Sequence, residues 1–142
     1  MRVPAMALCL TGILALSGAA NAEAPAHPSE VAFVGEGAKG HVYRKFPSGE
    51  RLYVSDRDKN GRSSCTGGCA SAWPPVYAPA DAAPVGEWTV VARSDGKRQW
   101  ALHGRPVYTR FHDTPEVATG DGIDGVWHLV RHTQVPVDPA LR

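Results

Sequence analysis

Two cysteines four residues apart are the sharpest chemical feature of this 142-residue chain. Cys65-Thr66-Gly67-Gly68-Cys69 places two glycines between the sulfurs, which lets the backbone fold tightly enough to bring them within bonding reach. In an oxidising compartment such a pair reads first as a disulfide. A copper(I) thiolate pair and a redox-active couple would use the same residues. C-type haem attachment is disfavoured, because it wants C-x-x-C-H, whereas here the spacing is longer and Ala70 follows.

A second candidate is Asp56-Arg57-Asp58-Lys59-Asn60-Gly61. It matches the first half of a calcium loop, in which alternate oxygens (Asp56, Asp58, Asn60) converge on one ion and glycine makes the bend. The twelfth position, where a bidentate glutamate belongs, is Gly67, so such a site would be weak. Among the 6 histidines, His128 and His132 have helical spacing, but Val126–Val130 reads as a strand. On a strand those rings would stand about 13 Å apart, too far to share an ion. His103 beside Gly104 reads as a turn residue and His112 beside Asp113 as a solvated one. Both remain candidate helpers to a metal or redox site at the cysteines. The chain has no G-x-S-x-G elbow, P-loop or H-E-x-x-H. No catalytic residue is therefore assigned, and no cofactor is expected, with copper or calcium as the alternative.

Tyrosine and aspartate recur together. Leu52-Tyr53 leads to Asp58, and Val107-Tyr108 leads at the same spacing to Asp113. On a continuous strand, residues five apart point to opposite faces, so neither pair shares a site that way. The reading that follows is structural: the ring packs inward, and the aspartate caps the turn by bonding backbone two residues on. A hydrolase would instead require Asp58 and Asp113 to converge in one cleft.

The elements that would position these residues are short strands between turns. His41–Phe46 meets Pro47-Ser48-Gly49 and Arg51–Ser55 returns. Trp88–Arg93 meets Ser94-Asp95-Gly96-Lys97 and Arg98–Leu102 returns. Pro106–Thr109 and Val126–Val130 add two more β-rich runs. No window sustains a helical period, and at most one helical turn is expected near Cys69–Trp73, stopped by Pro74-Pro75. The halves align as a duplication: Trp73-Pro74-Pro75-Val76 in one answers Trp127-His128-Leu129-Val130 in the other. The expected fold is a mostly β single domain of two related β-hairpin repeats, the first at about 41–78 and the second at about 88–132. Residues 23–40 read as a flexible leader ending in a possible edge strand, and 133–142 as a tail.

Upstream, Arg2 precedes an apolar run and then Ala20-Asn21-Ala22, so residues 1–22 read as a signal peptide cleaved after Ala22. Cys9 lies inside the apolar run without the small preceding residue that lipidation requires. The mature chain then keeps two cysteines and loses Arg2, which leaves 14 Lys+Arg against 14 Asp+Glu. Formal neutrality argues against nucleic-acid or anionic-membrane partners, and no run after the signal is long enough to span a bilayer.

From Gly40 to Val130 the chain resembles a family of secreted bacterial repeat proteins, predicted lipoproteins with a Y-x-(F/W/Y)-x-x-D motif. The resemblance rests on the twofold Tyr–Asp spacing, Cys65-x-x-x-Cys69-Ala70, the Asp95-Gly96 hairpin, Gly104-x-Pro106-x-Tyr108 and Gly125-Val126-Trp127. Ser55 and Arg110 stand at the motif's middle aromatic, and the lipobox is missing. The family's function is not established. The resemblance thus implies an exported repeat protein, periplasmic or secreted, with no mechanism attached. The combined expectation is a non-catalytic binding or interaction module for a protein or small ligand. The alternative is a metal or redox protein using Cys65/Cys69 or the Asp56–Asn60 loop.

Overall fold

The computed structural model describes residues 23–59 and 61–133. The expected signal peptide, Asn60 and all of the expected tail beyond Thr133 lie outside the described residues. Among the described residues there are seven short strands: β1 (Val31–Gly35), β2 (His41–Lys45), β3 (Tyr53–Ser55), β4 (Trp88–Ala92), β5 (Arg98–Leu102), β6 (Arg105–Pro106) and β7 (Trp127–Leu129). All their pairings are antiparallel. The chain is mostly β, as its turn-divided strand signals imply. Among the described residues no helix is long and apolar enough to cross a membrane.

The first sequence-predicted hairpin pairs differently from expectation. The turn at Pro47–Gly49 forms and Arg44 bridges Arg51, yet the main partner of β2 is the upstream β1, from Val31↔Lys45 to Gly35↔His41. The second hairpin, β4 with β5, forms as its Asp-Gly turn predicts and has the same register, from Trp88↔Leu102 to Ala92↔Arg98. Each hairpin thus has five pairs around a five-residue connection. The stretch read as a leader therefore contributes the opening strand of the first repeat, and Val31, 2% exposed, sits in the core. The possible edge strand expected at the end of that stretch thus forms, and β2 supplies the partner that a four-residue apolar run cannot name by itself.

Each repeat continues from its hairpin into a central segment, 51–55 or 105–109. These two segments meet: Tyr53 and Tyr108 exchange both backbone hydrogen bonds, at 2.8 and 2.9 Å. Alternation along a strand then divides the interior in two. Leu52, Val54 and Val107 face one cluster with Val31, Tyr43, Val76, Trp88, Trp100, Leu102 and Val130. Tyr53 and Tyr108 face a second cluster with Cys65, Trp73 and Trp127.

The repeats then exchange their ends. β3 of the first pairs with β7 of the second, Tyr53↔Leu129 to Ser55↔Trp127, while Tyr108 of the second bridges Pro75 of the first. Val130 N–H donates to Leu52 O at 2.8 Å, and Val76 N–H to Val107 O at 3.0 Å, the same bond in each half. Neither repeat closes its core alone. The α-helical turn α1 (Gly68–Ala72) starts at the second of the two glycines, carries Cys69 and ends at Trp73 (φ −126°, ψ 78°), where Pro74 disfavours a further helical residue.

Candidate functional site

The motif residues come together, but crosswise. Tyr53 Oη donates to Asp113 Oδ2 at 2.5 Å, and Tyr108 Oη donates to Asp58 Oδ2 at 2.6 Å. Each tyrosine thus holds the aspartate of the other repeat. The second oxygen of each carboxylate caps the loop that follows it. Asp58 Oδ1 accepts from Ser64 N–H and Oγ (2.8 and 2.9 Å), and Asp113 Oδ1 from Thr119 N–H and Oγ1 (3.1 and 2.6 Å). The capped amide lies six residues on rather than the two expected of a simple Asx turn, because each aspartate closes a whole loop. Opposed strand faces rule out a pair within one repeat but leave a pair between repeats open.

Aromatic rings complete the junction. Trp73 and Trp127 stack with centroids 3.8 Å apart and planes within 4°. Tyr53 meets Trp73 edge-on at 5.3 Å, and Tyr108 meets Trp127 likewise at 5.1 Å. Burial pushes the Tyr53 hydroxyl up to about 12, with its bond to Asp113 adding to the shift. Burial, then the bond to Asp58, shifts Tyr108 upward as well. Both phenols are therefore held firmly protonated as hydrogen-bond donors.

Residues 89–131 match a family described as a secreted repeat of unknown function. No curated protein and no solved structure matches the chain. The matched span runs from β4 through Trp127, which is one full copy of the unit just described.

The repeat's cysteines are joined: Cys65 and Cys69 form a disulfide with Cα atoms 5.2 Å apart. Cys65 is 2% exposed against Tyr108 and Trp127. A buried cation ties this loop to the second hairpin. The Arg93 guanidinium donates to Cys65 O (2.7 Å), Ser63 Oγ (3.0 Å), Gln99 Oε1 (2.8 Å) and Asp95 Oδ2 (2.9 Å). Ser63 Oγ in turn lies 2.6 Å from Tyr108 Oη. Sequence reasoning missed Arg93 and Ser63, which no spacing marks. Ser64 and Thr119, each six residues after its motif aspartate, carried a legible signal in the aligned halves.

The remaining candidates are dispersed. Asp56 Oδ1 accepts from Arg105 at 3.0 Å, and its Oδ2 lies 2.6 Å from His128 Nε2, so Asp56 and Asp58 serve different partners. The hydrogen bond from His128, then its charge and the Arg105 contacts, hold the Asp56 carboxyl below its ordinary value. His103 (φ 50°) is exposed and lies 3.6 Å from Glu87, while His112 (φ 70°) rests against Phe111. Among the described residues no three His, Cys, Asp or Glu side chains are grouped to hold a metal ion.

Polar side chains outside the motif gather elsewhere. A cleft of about 410 Å³ opens where β7 runs on into 130–133, with His103, Arg105, His128, Arg131 and His132 at its rim and Tyr43, Val54 and Leu102 among its lining. A second cleft of about 450 Å³ is lined by the same segment. It shares Leu129–His132 with the first and adds Arg51 and Asp121.

Proposed function

We propose that the protein is an exported, non-catalytic binding module, a duplicated β scaffold that displays one ligand-binding face along residues 128–133. One observation carries this reading. The motif tyrosines and aspartates are consumed in holding the two repeats together, whereas the clefts are lined by side chains the motif does not specify. Cleft volumes of this order suit a small organic ligand. Export is supported by the signal-like N-terminus, by the secreted family that residues 89–131 match and by the disulfide.

The test is a titration of the ¹⁵N-labelled protein with a small-molecule fragment set, read by chemical shift. Shifts are expected to concentrate on 128–133 and to spare Asp58 and Asp113. Turnover of ester, phosphate or glycoside substrates that Asp58→Asn or Asp113→Asn abolishes would overturn the reading. Mass spectrometry of the exported protein should find an unlipidated N-terminus at Glu23.

A further inference from the structure

We infer that the face along 129–132 takes the oxyanion group, carboxylate or phosphate, of a small organic ligand whose body lies in the adjoining cleft. This inference rests on the binding-module reading and names its ligand class. Three observations carry it.

The first is unused donors. Arg51 Nε is buried without a hydrogen-bond partner among the described residues, and a buried donor in that state is costly. Arg51 lines the second cleft. Arg51 makes one long hydrogen bond, 3.4 Å to Val130 O. Arg131 is exposed and makes no hydrogen bond or ion pair among the described residues. A guanidinium has five donors and no acceptor, so both side chains can bind only an acceptor.

The second observation is where the nearby acids go. Glu36 accepts from Arg44 and from His132 Nε2, the latter at 2.5 Å. Asp121, which also lines the second cleft, accepts the Leu129 N–H at 3.0 Å and lies beyond ion-pair range of both Arg51 and Arg131. Glu87 at the first cleft faces His103. Arg51 reaches Glu36 only through space, its charge helping to lower that carboxyl, and neither arginine has a direct ion pair among the described residues.

The third comes from the duplication. By the spacings that superpose the two motifs, Arg51 corresponds to Pro106, Arg131 to Tyr77 and His132 to Ala78. In each case the other copy carries proline, tyrosine or alanine at the matching place, while the neighbouring bonds Val130 N–H to Leu52 O and Val76 N–H to Val107 O form in both halves, so the fold does not require cations at these places. Paired guanidiniums suit the geometry of carboxylate or phosphate, while Leu129, Val130 and Val54 offer an apolar bed for the rest of the ligand.

The experiment is calorimetric and NMR titration of the exported protein with phenyl phosphate, benzoate, inorganic phosphate and the neutral benzyl alcohol. At least one aromatic anion should bind at least tenfold more tightly than both benzyl alcohol and inorganic phosphate, and should shift the Arg51 Nε–H resonance. Arg131→Gln should weaken that binding at least fivefold with an unchanged melting temperature. Arg51→Lys keeps the charge but loses the fork, and should weaken it too. Equal binding of benzyl alcohol, or unchanged affinity in Arg131→Gln, overturns the oxyanion assignment while leaving the binding-module reading intact. Equal binding of inorganic phosphate overturns the organic ligand. Silence from all four probes, with the fragment titration still mapping to 128–133, also sinks the assignment.

Discussion

The two loops that follow the motif aspartates perform one task with different parts. Both start at an aspartate held by the opposite tyrosine and close through a hydroxyl residue six positions on. The next residue is Gly120 in one and Cys65 in the other. Gly120 N–H donates to Tyr53 Oη at 3.0 Å, and the rings of Trp73 and Tyr53 press so closely that a Cβ there would lie 2.7 Å from each. Cys65 has room for its side chain and spends it on Cys69. Ser63 Oγ, rather than an amide, then meets the Tyr108 hydroxyl. The repeat therefore requires the crossed Tyr–Asp bonds and the stacked tryptophans, and leaves the loop's stapling open. Close packing staples one loop, and a covalent bond with a buried arginine staples the other.

The harshest way to break this comparison is Gly120→Ala. Backbone and two packed rings would have to give way, at a cost of about 3 kcal/mol, and thermal unfolding should show a fall of 10 °C or more. Next is Tyr53→Phe, which strips a partner from the buried Asp113 and from Gly120 N–H. A loss of about 2–3 kcal/mol is expected in denaturant titration. Tyr108→Phe should lose about 1 kcal/mol less, since Asp58 is only half-buried. Equal costs would mean that the two locks do not differ as described. Replacing Cys65 and Cys69 together by serine should remove about 2 kcal/mol of loop-closure stabilisation and lower the melting temperature by roughly 10 °C. The loss should appear as faster amide exchange in 61–73 while the Gly120 loop stays protected.

Acid and alkali act differently on the molecule. Tyrosine in an unfolded chain ionises near 10, whereas Tyr53 holds its proton to about 12. Its contribution is complete below pH 10 and is lost as pH rises from 10 towards 12, with Tyr108 shifted the same way. At the acid end, the hydrogen bonds from Arg44 and His132 lower Glu36 from 4.5 to about 2. That stability is present above 4.5 and drains as pH falls towards 2. Far-ultraviolet circular dichroism against pH should show both limbs. The smallest effect belongs to the cleft: Arg131→Gln should change stability by less than about 0.5 kcal/mol, because nothing in the fold leans on that side chain.

Much of the architecture was legible in the residues. The Asp95-Gly96 turn marked the β4–β5 hairpin, two glycines between cysteines marked the disulfide, and Pro74-Pro75 marked the end of the helical turn. Each is a local rule, decided by φ/ψ freedom or chain closure over a few residues. The duplication was legible as well, because Tyr53–Asp58 and Tyr108–Asp113 keep one spacing. The sequence alone could not say which tyrosine meets which aspartate. That pairing depends on the central segments lying side by side and exchanging their ends, contacts that span 50 to 60 residues and leave no periodic trace. The same holds for the partner of Val31–Gly35, since the sequence suggests an edge strand there but not that β2 lies beside it, and for Arg93, whose burial is visible only once four partners surround it. The clefts likewise come from tertiary structure. Arg51 and Arg131 stand 80 residues apart in the chain and share a surface because the end of the second repeat packs against the first.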